Sequence, residues 1–179
     1  MSGHPPRLGD EDSTDPSRFR QRLQGIYRDL DAEIARLAPV CSLSGRCCKF
    51  EEYGHTLFVS APEFDLLLAD APTPSRPLDG GATCPWQDLN NRCTARDARP
   101  LGCRVYFCDP AYEPLAPDLT EAFLARIKAM VIEMGLPWNY APLHRHLDEA
   151  VRSGLMGTPR SESLEADSLG SENPIASRH

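Results

Sequence analysis

Apolar residues recur at three- and four-residue steps over Phe19, Leu23, Ile26, Leu30, Ile34 and Leu37, the pattern of a helix with one buried stripe. Asp15 can cap this helix and Pro16 can occupy its first turn. The helix should end before Pro39, because the residue preceding a proline is pushed out of the helical region. A second stripe over Leu119, Phe123, Ile127, Met130, Val131 and Met134 predicts another helix, capped by Asp118 with Glu121 and closed by Gly135. A last helix is expected over about 142–152, with Leu143, Leu147, Ala150 and Val151 inward. Thr56 to Val59 reads as a short strand, and Ser60 with Glu63 as a capping box opening a short helix through Leu66, Leu67 and Leu68. Pro72, Pro74, Pro77, Gly80 and Gly81 mark residues 70–82 as a loop. Residues 84–108 show little periodicity beyond a turn at Asn90 and Asn91. The two ends, 1–14 and 154–179, are polar and patternless and are expected to be disordered around a domain at 15–153. The fold class predicted is α+β and mostly helical. It is a small single domain in which amphipathic helices flank an irregular cysteine-rich metal knuckle, with a short hairpin as its only sheet.

With 179 residues and 41% apolar content the chain can bury a genuine core, so its cysteines are not needed as the sole source of stability. Its net charge of -7 and pI near 5.2 disfavour a binder of nucleic-acid backbones. No apolar stretch reaches a membrane span, and the first residues lack the apolar core of an export signal, so the expected compartment is the cytoplasm.

All seven cysteines, Cys41, Cys47, Cys48, Cys84, Cys93, Cys103 and Cys108, fall in the middle of the chain. A reducing compartment, an odd count and the strain of bridging adjacent Cys47 and Cys48 argue against a disulfide framework and for a metal site. Cys41, Cys47 and Cys48 form one half-site, which Gly45 lets the backbone turn to present; the other four form the second. Cys47, Cys48, Cys84 and Cys103 are the first choice of ligands, with all seven as candidates. Thiolates suit zinc or iron, and an iron–sulfur cluster uses the same count as a closed zinc shell.

The run Cys41, Ser42, Leu43, Ser44, Gly45, Arg46, Cys47, Cys48 is followed by Val59, Ser60 and Glu63, by Cys84, Pro85, Trp86 and Cys93, and by Arg99, Pro100, Leu101, Gly102, Cys103, Arg104 and Cys108. Over about 41–108 this resembles the YkgJ-like cysteine-cluster family, described as a zinc- or iron-chelating CxxCxxCC domain. One departure is Ser44, which stands where the family pattern has its second cysteine and is a poorer ligand for soft metals. The resemblance implies a metal ion or cluster as the bound partner. It also implies an alternative, an iron–sulfur-dependent modification enzyme acting on protein lysine, since a flagellin lysine methylase carries a similar cluster. No glycine-rich nucleotide loop supports methyl transfer independently. A thiol redox sensor is a third reading, and a protein partner is compatible with any of them.

Around the cysteines, Arg99 and Arg104 are candidates either to tune thiolates or to hold a loop through backbone carbonyls. His55 is a closer outside ligand candidate than His144 or His146. Tyr53, Trp86, Tyr106 and Phe107 are expected to wall the site. Capping accounts for Glu63 and Glu121, and core packing for Met130 and Met134.

Overall fold

The computed structural model describes residues 16–157. Its helices are α1 (Pro16–Leu37), α2 (Ala61–Asp70), the single-turn α3 (Leu101–Arg104), α4 (Ala116–Glu133) and α5 (Leu143–Arg152), with strands β1 (Phe58–Ser60) and β2 (Tyr140–Pro142). This is the small, mostly helical α+β domain that the pattern predicts. Residues 1–15, including the expected helix cap Asp15, and 158–179 lie outside the described residues.

The apolar stripe of α1 is buried through Leu23, Ile26, Tyr27 and Leu30 against Phe123, Ile127, Met130, Val131 and Met134 of the α4 region. The two helices run antiparallel, since Arg22 pairs with Glu133 at 2.5 Å while Asp29 pairs with Arg126. These exposed pairs set direction more than stability. Past Leu37 the chain leaves α1 with Ala38 at φ 49 and enters Pro39, so α1 stops where the proline requires.

The capping box opening α2 forms as expected: Glu63 Oε2 accepts from the backbone N–H of Ser60 at 3.1 Å and from its hydroxyl at 2.7 Å. The second one does not form. A 3-10 turn at Glu113–Leu115 runs directly into α4, which starts at Ala116 with Pro117 in its first turn and without a side-chain cap. Helical backbone upstream thus puts Asp118 and Glu121 inside the helix, where a cap has no role. The far end behaves as predicted, with Gly135 at φ 68 and Leu136 N–H bonded to Val131 at 3.0 Å.

The sheet is not a local hairpin. Phe58, Val59 and Ser60 pair antiparallel with Pro142, Ala141 and Tyr140, so β1 finds its partner beyond α4. Ala61 N–H to Asn139 and Leu143 N–H to Leu57, both 2.8 Å, extend the join and set α2 and α5 side by side. Phe64, Leu67, Leu143, Leu147 and Ala150 then form a second core with Trp86, Cys48 and Cys84. Val151 is only half-buried. His146 is buried instead, its Nε2 2.9 Å from the Val59 carbonyl and its ring stacked on Phe64. After α5 the chain turns at Gly154, and Met156 packs on this same core. The helices therefore make one hydrophobic cluster, and the cysteine segment helps to make the other.

Candidate functional site

Gly45 sits at φ 72 and starts a 3-10 turn, Arg46–Cys48, that presents two successive thiols. A Cβ at Gly45 would stand 2.5 Å from the Asn91 carbonyl oxygen and 2.7 Å from Gln87 Nε2. Both neighbours belong to a tight reversal in which Gln87 bridges Cys93 across Asn90 and Asn91, with Asn91 at φ 60. Asp88 Oδ1 fixes that reversal by accepting from the N–H groups of Asn90 and Arg92, each at 2.8 Å. Gln87 Nε2 donates to the Gly45 carbonyl at 3.0 Å, and Cys84 N–H donates to Cys48 at 2.7 Å. The two predicted half-sites are thereby joined by backbone and amide bonds. Gly45→Ala should cost at least about 2 kcal/mol, combining the left-handed penalty with overpacking. Urea unfolding of the purified variant measures it.

Cys48 is the hub of the thiols. Its sulfur lies 3.9 Å from that of Cys47, and the thiols of Cys84 and Cys93 act on it as further neighbours. Hydrogen bonding with Cys47 first, then with Cys84 and Cys93, together with desolvation, holds the Cys48 thiol far above its ordinary value. The bond from Cys48 conversely brings Cys47 down to about 7 and Cys93 to about 6, against the desolvation of both; Arg99 adds a favourable charge to each. Cys103 keeps partial solvent exposure as a residue, but its sulfur is enclosed, and desolvation followed by the fields of Cys84, Cys93 and Cys47 pushes its thiol well up. In metal-free protein at pH 7, Cys93 should therefore alkylate as a thiolate. Its rate should fall as the pH drops through about 6, and that of Cys47 through about 7, because protonation removes the nucleophile. Cys48 and Cys103 should be slow. Peptide mapping after a short iodoacetamide pulse at pH 5, 7 and 9 reads this order.

The remaining two cysteines stand apart from the hub. Cys41 is exposed, and Cys108 lies 3.5 Å from the Ser44 hydroxyl. Cys108 also lines an open cleft of about 700 Å³ with Arg46, Tyr53, Tyr106 and Glu121. The expected aromatic wall is only partly built. Trp86 is buried with Cys48 and Cys84, its indole N–H bonded to Pro72 at 2.8 Å, and Tyr106 feels the charges of Cys108 and Cys47. Tyr53 instead is exposed under the Arg46 guanidinium, and Phe107 packs edge-on against Tyr112.

Among the described histidines, His55 alone reaches the thiol loop. It lies between Phe50 and Tyr106 with Nε2 3.4 Å from the Cys47 carbonyl oxygen. His146 is taken by Val59, and His144 packs over Gly81. The arginines divide the two roles considered for them. Arg104 holds backbone, donating to the Arg99 carbonyl at 2.7 Å and the Asp97 carbonyl at 2.8 Å, and pairs with Asp31 at 2.8 Å. Arg99 is the one whose charge favours the thiolates of Cys47 and Cys93. Gln87, fully buried and central to the join, is legible in sequence only as the residue that follows Cys84, Pro85 and Trp86.

The donor chemistry suits a thiophilic ion: the Cys47 and Cys48 sulfurs are neighbours, Cys84 and Cys93 act on the Cys48 thiol, and the buried Gln87 Oε1 and His55 Nδ1 have no hydrogen-bond partner among the described residues. No group of three or more His, Cys, Asp or Glu side chains among those residues is already set around one point as an ion would require. Fold and site together define a small α+β protein whose free cysteines range from buried to exposed. Comparison with family models, curated proteins and solved structures finds no match.

Proposed function

We propose that this protein binds zinc, iron or an iron–sulfur cluster through Cys47, Cys48, Cys84 and Cys93, with Cys103 as the adjoining thiol and Cys41 and Cys108 at the periphery. The observation that carries the reading is that the Cys47 and Cys48 sulfurs lie 3.9 Å apart while the Cys84 N–H donates to the Cys48 carbonyl at 2.7 Å, which brings thiols from both halves of the segment together. Such a concentration of thiols is chemically suited to soft or borderline metals, and the low values at Cys47 and Cys93 favour the deprotonated form that a metal requires. A bound metal would neutralise the charge of neighbouring thiolates and cross-link residues 47–48 to 84–93. Arg99 would hold compensating positive charge beside them, and Trp86 would keep water from one side.

A second reading, an iron–sulfur-dependent enzyme modifying protein lysine, draws on a different observation: an open cleft of about 700 Å³ has Cys108 and Glu121 among its lining residues. Anaerobic purification followed by elemental analysis and an absorption spectrum of the same sample separates these readings. Stoichiometric zinc in colourless protein supports a metal-binding module. Iron with acid-labile sulfide and visible absorption supports the cluster and raises the enzyme reading. Protein that takes up neither metal after anaerobic reconstitution would remove both.

A further inference from the structure

We propose that a cleft on the other side of Arg99, between α1 and residues 96–104, is a binding site for a small polyanion carrying clustered phosphate or carboxylate oxygens. The cleft encloses about 410 Å³ and is lined by Gln24, Tyr27, Arg28, Asp31, Arg96, Asp97, Arg99 and Arg104. Four arginines in one concavity are notable on a chain whose net charge is -7. Their charges are only partly cancelled locally, with Arg99 also facing the thiols of Cys47 and Cys93. Arg104 is neutralised by Asp31, which accepts from its Nη1 at 2.8 and 3.1 Å, and its guanidinium lies 4.3 Å from the Tyr27 ring centre. That leaves Arg28, Arg96 and Arg99 against the single carboxylate of Asp97. Among the described residues, Arg28, Arg96 and Arg99 have no carboxylate within ion-pair distance. Arg99 uses its Nε on the Arg96 carbonyl at 2.9 Å, which orients its fork while leaving the terminal nitrogens for another acceptor.

The arrangement is preorganised where it matters. Arg104 bonds the carbonyls of Asp97 and Arg99 and so fixes the backbone that carries Arg96 and Arg99. Exposed Arg28 projects from the rigid α1 opposite them. Planar guanidinium forks match the paired oxygens of phosphates and carboxylates, and three of them favour a ligand with more than one anionic group. The enclosed volume suits a small molecule, and the acidic remainder of the surface disfavours a long nucleic acid.

The test is a titration of the full-length protein with pyrophosphate and, separately, citrate at constant low ionic strength, followed through the backbone amides of Arg28, Arg96, Asp97 and Arg99, with chloride as control. Saturable shifts with either polyanion are expected, and the stronger of the two identifies phosphate or carboxylate as the preferred group. The double variant R28Q/R96Q changes only exposed side chains and should bind at least about tenfold more weakly while keeping its amide spectrum elsewhere. Non-saturating shifts with both anions, or unchanged affinity in the double variant, would overturn the site. The readout is independent of metal content, so its failure leaves the thiol reading untouched.

Discussion

Replacing Glu63 with Ala is expected to destabilise the fold by about 3–5 kcal/mol, the cost of leaving several buried donors without an acceptor. Glu63 is 1% exposed, yet its carboxylate accepts four hydrogen bonds. Oε2 takes the N–H and hydroxyl of Ser60; Oε1 takes the Tyr27 hydroxyl at 2.9 Å and the Leu101 N–H at 2.8 Å. One side chain thus ties the start of α2 to α1 and to the first residue of α3, which carries Cys103. E63Q keeps one oxygen and presents an N–H₂ to donors on the other side, so its loss should be smaller but still well above that of a surface substitution. For a domain of this size a loss of 3–5 kcal/mol corresponds to roughly 10 °C or more in Tm.

The same contact gives a pH signature. Burial first, then the charge of Glu63, hold the Tyr27 hydroxyl well above its ordinary value of 10.0. In the unfolded chain the phenol ionises near 10 while the folded one keeps its proton, so the contribution is fully present below pH 10 and is lost as the pH rises beyond it. Urea midpoints should fall between pH 8 and pH 11 in the wild type and fall less in Tyr27→Phe. An E63A midpoint equal to wild type would show that water replaces the carboxylate at no cost, and the keystone role would be wrong.

Cys48→Ser is the second large effect. If the hub sulfur is a ligand, the variant should lose at least the 10–100-fold in metal affinity that even an outer-shell change brings, while Cys41→Ser, altering an exposed thiol outside the hub, should retain metal. Because metal and folding are linked, stripping metal from the wild type should speed amide exchange over 84–108, and Cys48→Ser should exchange there at that faster rate from the outset. Equal metal content in the three proteins would reassign the site away from Cys48.

Much of the helical frame is legible locally. The stripes of α1 and α4, the stop before Pro39, the Ser60 and Glu63 box and the Gly135 terminus all depend on residues within a few positions of one another. The Asp118 and Glu121 box fails for an instructive reason: the motif is present, but helical backbone at 113–117 overrides it. The turn at Asn90 and Asn91 is legible too, whereas its bond to Gly45 through Gln87 is not, because no periodicity links residue 45 with residue 87.

The sequence by itself determined the helices, the irregular cysteine segment and the thiol chemistry of its side chains, since each follows from spacing or residue type. Only the tertiary structure decided that β1 pairs with β2 beyond α4, that Glu63 serves three helices at once, that the Cys84 backbone bonds to Cys48, and that four arginines share a cleft with two aspartates. Those outcomes come from contacts between positions far apart in the chain. Their energies depend on which buried donors and charges meet, and local patterning carries no record of that meeting.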